Sequence, residues 1–146
     1  MFERILYPTD FSDVSTKALD YVKQLKEAGT KEVVVLHVLD IGTFGIYAGE
    51  LAPAVDIEKL EKATEEDALK KIKQIEAELE KSGFDVKVRI ERGTPFAEIL
   101  RVEEEEDVSA VVIGSHGKSM VKEMLLGSVS EQVIRKSSKP VLVVRR

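Results

Sequence analysis

Two stretches of the chain, Glu32–Leu39 (EVVVLHVL) and Ala110–Ile113 (AVVI), are almost wholly apolar and β-branched. A strand with one wet face alternates apolar and polar residues, so an unbroken run implies cover on both faces. Strands of that kind belong to a parallel sheet, and parallel neighbours need helical crossovers between them. The intervening segments should therefore supply amphipathic helices.

They do. Ile5-Leu6-Tyr7, closed by Pro8, reads as a first strand. Ser12 or Asp13 can cap a helix whose Val14, Ala18, Leu19, Tyr21, Val22 and Leu25 keep helical spacing until Gly29. Asp40–Ala54 breaks the rhythm with Gly42, Gly45, Gly49 and Pro53. From Asp56 to Ser82 a long helix carries Ile57, Leu60, Thr64, Ala68, Ile72, Ile75 and Leu79 inside, with i,i+4 pairs such as Glu58–Lys62 outside, and Gly83 stops it. Val86, Val88 and Ile90 alternate with polar residues, as in an edge strand. Thr94-Pro95 opens a helix over Pro95–Glu105, Ser128 or Val129 to Ser137 forms the last helix, and Val141–Val144 follows Pro140 as a fifth strand. The order β-α-β-α-β-α-β-α-β predicts one α/β domain over residues 1–146: a doubly wound, three-layer α/β/α fold around a five-stranded parallel sheet.

Composition narrows the function classes. The net charge of −5 argues against a nucleic-acid partner, although Lys118, Lys122, Arg135, Lys136 and Lys139 gather near the C-terminus. With no cysteine, disulfides, thiol catalysis and cysteine metal sites are excluded. No apolar run reaches the length of a membrane span and MFERILYPTD lacks a signal-peptide core, so a cytoplasmic location is expected. The absence of Asn, with Glu and Lys abundant, is the composition expected of a thermophile protein.

In a doubly wound sheet the ligand lies beyond the carboxyl ends of the strands, where strand order reverses. Two segments leaving such ends carry more polar and glycine residues than packing demands: Pro8-Thr9-Asp10, and residues 114–130 (GSHGKSMVKEMLLGSVS). Gly114 and Gly117 would let backbone approach a ligand and permit positive φ. Gly127-Ser128 precedes a helix whose first N–H groups lack intrahelical partners, and Ser128 and Ser130 add hydroxyls there. This combination suits a phosphate chain. It is not a P-loop: Gly117-Lys118-Ser119 matches the end of that motif, but its leading glycine would fall at Val112. The G-x-G-x-x-G dinucleotide fingerprint is missing too.

The spacing that fits is G-x2-G-x9-G-[ST], formed by Gly114, Gly117, Gly127 and Ser128. With ILYPTDFS at the start, LHV at 36–38 and SKPVLVVRR at the end, the whole chain resembles the universal stress protein family, ATP-binding subtype. Members that do not bind ATP generally lack the glycine motif. The resemblance implies an adenine nucleotide, ATP or its ADP or AMP forms, as ligand. It implies that Pro8, Thr9 and Asp10 line the nucleoside pocket, with Asp10 nearest the ribose or a bound metal. Val38 would meet adenine through its backbone. Gly114, Ser115, His116, Gly117, Lys118 and Ser119 would wrap ribose and phosphates, and Ser128, Val129 and Ser130 would take the phosphate tail. Dimerisation through the last strand makes Val141, Leu142, Val143 and Val144 the expected homodimer interface. Met120 departs from the polar residue often found there.

Other residues support narrower readings. His37 reads as a satisfied core histidine, whereas His116 sits where it could position the loop or touch a ligand. The two lack the carboxylate pattern of a zinc site, and a Mg2+ or Mn2+ ion shared with phosphates fits better. Glu103–Asp107 reads as a helix end dissolving into solvent, and the loop 42–55, with Phe44 and Tyr47, as a lid or partner contact. Asp10, His116 and Lys118 form no known catalytic set for hydrolysis. A nucleotide-binding signalling or stress-response module is therefore favoured over an efficient enzyme, the alternative being a slow ATPase switch activated by a partner. A phosphoacceptor receiver domain is disfavoured, because only one acidic residue follows the first strand and no helix follows the fifth.

Overall fold

The computed structural model describes residues 1–42, 56–117 and 125–146. Within them lie β1 (Arg4–Pro8), β2 (Glu32–Asp40), β3 (Asp85–Gly93), β4 (Ala110–Gly114) and β5 (Val141–Val144), in the spatial order β3-β2-β1-β4-β5. Every neighbouring pair is parallel. The described helices are α1 (Asp13–Gln24), α2 (Ile57–Lys81), α3 (Pro95–Glu105) and α4 (Ser128–Lys136). The architecture is the α/β fold expected, with β3 at one edge as its alternating pattern required, and β5 at the other.

The unbroken apolar runs divide between two cores by the two-residue period of a strand. Ile5, Tyr7, Val33, Val35, Ala110 and Val112 pack with Ala18, Leu19 and Val22 of α1 and Ile72 and Leu79 of α2. Leu6, Val34, Leu36, Val111 and Ile113 pack on the opposite face with Ile99 and Val102 of α3 and Val133 of α4. Each fully buried side chain of this size contributes about 1.5–3 kcal/mol.

Local signals set the helix ends. Ser12 Oγ accepts from Ser15 N–H at 3.3 Å, and Asp56 Oδ1 from Lys59 N–H at 3.2 Å. α1 tightens into a 3₁₀ turn over Leu25–Ala28 before Gly29, whose φ of 98° only glycine adopts freely. Thr94 precedes α3 without a capping side-chain bond, so Pro95 at the first helical position opens the helix.

Two expectations need correction. The stripe of α2 is buried only at Ala68, Ile72 and Leu79; Ile57 and Leu60 are half-buried and Thr64 is exposed. The acidic run 103–107 is a solvated helix end only at Glu104, Glu105 and Asp107, which are exposed. Glu103 is buried, and its carboxylate accepts from Ser137 Oγ at 2.6 Å and Ser138 N–H at 3.0 Å. Glu106, also buried, pairs with Lys87 at 2.8 Å and Arg89 at 3.1 Å. The end of α3 therefore clamps the turn before β5 and the middle of β3.

Candidate functional site

β2 and β4 flank β1 on opposite sides, so the chain leaves the carboxyl ends of β1 and β4 in diverging directions. A cleft of about 420 Å³ opens there, within the usual size of small-molecule sites. Pro8, Thr9, Asp10, Val38, Gly114, His116, Gly117, Gly127, Ser128, Val129 and Ser130 line it. The structure thus brings together eleven of the fourteen residues singled out from sequence. Ser115 supports the cleft from behind, and Lys118 and Ser119 lie outside the described residues, as do Met120 and the loop positions 43–55.

On the β1 side, the turn after Pro8 is fixed from several directions. Thr9 N–H donates to Leu36 O at 2.8 Å, carrying the ladder one step past β1. Thr9 Oγ1 accepts from Phe11 N–H at 3.0 Å and from Ser15 Oγ at 2.6 Å. Asp10 Oδ1 accepts from Ser12 N–H at 3.0 Å. Together these bonds hold Phe11 at φ 65°, a conformation costly for a bulky residue and found where surrounding structure imposes it. Beneath the turn, Tyr7 donates its hydroxyl to Ser15 O at 2.6 Å, and burial raises its pKa above the ordinary phenol value.

Val38 owes its position to the mismatch in strand length. Leu36 O faces β1, where it receives Thr9 N–H. By strand alternation the N–H and C=O of Val38 face the same side, beyond the last residue of β1 in register. The cleft wall therefore presents an adjacent backbone donor and acceptor.

On the β4 side, one carbonyl joins the two glycine segments. Ser115, fully buried, donates its N–H to Val144 O at 2.8 Å. Its carbonyl accepts from Gly127 N–H and Ser130 Oγ, both at 2.7 Å. The start of α4 is thereby drawn against the end of β4. Gly127 is the N-cap and has no side chain to bond the first turn, whose opening intrahelical bond is Glu131 N–H to Gly127 O at 2.9 Å. The backbone N–H groups of Ser128, Val129 and Ser130 belong to the unpaired set at a helix start. The Ser130 hydroxyl is not the free donor expected, since its proton serves the Ser115 carbonyl. Ser128 is exposed.

Gly114 and Gly117 do not use the positive φ that glycine permits. Close approach is what requires them. A Cβ on Gly114 would meet Val14 Cγ1 at 3.0 Å and Ser15 N at 3.2 Å; one on Gly117 would lie 2.7 Å from Asp10 Oδ2. Ser115 Oγ and His116 Nδ1 are 2.6 Å apart, which orients the His116 ring at the cleft.

Other cleft residues were not singled out from the sequence: Ser15, Leu36, His37, Leu39, Asp40, Thr64, Pro95, Ile99 and Ile113. His37 is half-buried and lines the cleft, although its Nδ1 is satisfied by Thr9 O at 2.8 Å. The signal that could have exposed it is strand length, because β2 outlasts β1. Among the described lining residues none is Lys or Arg, and Asp10 and Asp40 are acidic. No group of three or more His, Cys, Asp or Glu suited to a metal occurs among the described residues, and no described helix is long and apolar enough to cross a membrane.

The chain is similar to known proteins over nearly its whole length. The universal stress protein family model matches residues 1–145. A relative, universal stress protein MJ0577 of Methanocaldococcus jannaschii, is 45% identical over 157 aligned residues, covering 100% of this chain and 96% of its own. A solved structure of MJ0577 superposes with a TM-score of 0.90 at 44% identity, covering 100% of this chain and 97% of that one. A universal stress protein solved in complex with cAMP gives a TM-score of 0.65 at 25% identity, covering 99% and 97%. The chain belongs to the universal stress protein family.

Proposed function

We propose that the cleft binds an adenine nucleotide, ATP or its ADP or AMP forms, and that the chain is a nucleotide-dependent stress-response module. The observation that carries this reading is the pair of hydrogen bonds accepted by the Ser115 carbonyl, which gathers both glycine segments around the start of α4. Among the described residues, the phosphate-attracting groups at this end are the backbone N–H groups and the partial positive charge of the helix start. Adenine would lie against Val38, whose C=O can accept from the exocyclic amine while its N–H donates to a ring nitrogen. The glycosidic side would face Asp10. The cAMP complex of a family member is in keeping with this assignment.

A Mg2+ or Mn2+ ion fits only if phosphate oxygens complete its shell, because the described residues offer too few ligands for a protein-only centre. Asp10 is the residue to share it, with Oδ2 turned toward Gly117. Such an ion would supply charge neutralisation for the phosphates beside Asp10 and Asp40.

The test is to heat-denature purified protein, identify any released nucleotide by mass, and titrate ATP, ADP, AMP and cAMP calorimetrically. Saturable binding by the wild type, weakened at least tenfold in Gly117→Val, is expected. A wild type that carries no nucleotide and shows no binding heat refutes the assignment. A slow ATPase switch is the second reading, favoured by the position of Asp10 against the phosphate-side loop. Phosphate release abolished by Asp10→Ala with ATP still bound would select it.

A further inference from the structure

We infer that His37 is a positioning residue of the nucleotide cleft, whose Nδ1–H holds the Thr9–Asp10 turn in its binding geometry. The inference rests on the nucleotide-binding reading. A carbonyl oxygen only accepts hydrogen bonds, so the 2.8 Å contact between His37 Nδ1 and Thr9 O requires the proton on Nδ1. The ring lies on Phe11, centroids 4.5 Å apart and planes 28° from parallel. Phe11 in turn carries Lys71 Nζ 5.4 Å from its centroid. His37 thus grips the turn at two adjacent points: the carbonyl of Thr9, and the side chain of the residue forced to positive φ.

Between those points sits Asp10, the carboxylate nearest Gly117. Thr9 Oγ1 and Asp10 Oδ1 hold the turn from within, through Phe11 N–H and Ser12 N–H. The His37 bond is a second tie from the turn to β2, beside Thr9 N–H to Leu36 O and just beyond the point where the ladder between β1 and β2 ends. Val38, the next residue, presents its backbone to the same cleft. One strand segment therefore holds the turn with a side chain and offers the base-facing backbone groups beside it. Loss of the donor would leave Thr9 O without that tie and let Asp10 drift relative to Val38.

The experiment has two independent arms. In the full-length wild type with 15N-labelled histidine, imidazole nitrogen NMR should show a proton on Nδ1 of His37. A bare Nδ1 overturns the inference, whatever any variant does. In the second arm ATP is titrated against His37→Asn, whose amide can replace the Nδ1 donor, and His37→Phe, which keeps a ring against Phe11 but donates nothing. Affinity should stay within about threefold of wild type in His37→Asn and fall roughly tenfold in His37→Phe, the scale of one lost hydrogen bond. Equal affinities in all three proteins, or equal loss in both variants, overturn the positioning role. A wild type with the proton on Nδ1 that binds no ATP refutes the nucleotide reading and with it the role in binding, separating that failure from a failure of the hydrogen bond.

Discussion

At the scale of single residues, the two glycines that follow β4 act differently, and substitution should separate them. Gly114 faces the backbone of α1: an added Cβ would stand 3.2 Å from Ser15 N and from the carbonyl carbon of Val14. Backbone cannot step aside without moving the helix, so Gly114→Ala should cost about 1–3 kcal/mol, the range of core overpacking, read as a lower denaturant midpoint at unchanged m-value. Among the described residues, Gly117 faces the carboxylate of Asp10, a side chain that can rotate. Gly117→Ala should therefore cost less, about 0.5–1 kcal/mol, the scale of the one hydrogen bond it disturbs. Its cost should appear in ATP titrations, as a loss of about tenfold, because Asp10 moves out of its hydrogen bond with Ser12. Equal destabilisation by the two substitutions would refute this division. Neither role is visible in the glycine spacing itself, which shows that backbone must come close to something without saying to what.

At the scale of elements, the inner strands are legible because burial on both faces leaves an apolar run, β3 because its residues alternate, and the helices because their stripes and caps are local. What escaped the sequence depends on partners far along the chain. Nothing local shows that Glu103 is buried, because its acceptor work serves Ser137 and Ser138, on the far side of β4. Phe11 gave no hint of positive φ, since the bonds imposing it come from Thr9, Asp10 and their neighbours in the folded turn. His37 was read as core because the sequence does not say that β2 runs longer than β1. The acidic end of α3 also makes a prediction. The hydrogen bond from Arg89 foremost lowers the pKa of Glu105, and that from Lys87 foremost lowers that of Glu106. A carboxylate with a depressed folded-state pKa adds stability above its unfolded pKa of about 4.3 and loses it as pH falls through the folded value. The thermal midpoint should accordingly fall as pH drops from about 5 through the acidic range, and Arg89→Gln should flatten that decline. Circular-dichroism melts that run parallel for the two proteins across this interval would show that Arg89 does not carry it.

At the scale of the whole molecule, the sheet has two edges and they are finished differently. β3 is nine residues long and half exposed, with Lys87, Arg89 and Arg92 along it, and charges of this kind discourage pairing with another chain. β5 is VLVV, without a charge within it, and leaves Leu142 43% exposed. We propose that this edge pairs with β5 of a second copy, extending the sheet through a two-fold axis. Register says which residue controls it. Pro140 O and Val144 O both receive N–H groups from the β4 side, so residues of even number turn their backbone groups toward β4. Val141 and Val143 consequently point theirs outward. Val143→Pro deletes an outward N–H and leaves the ladder to β4 whole, an arrangement an edge strand tolerates. Light scattering should give twice the chain mass for the wild type and for Val143→Thr, and one chain mass for Val143→Pro. The proline variant should keep its affinity for ATP, since the Val144 carbonyl that anchors Ser115 N–H is untouched. A wild type that stays monomeric at micromolar concentration refutes the pairing. A proline variant that remains dimeric moves the interface away from the edge and onto a helical face.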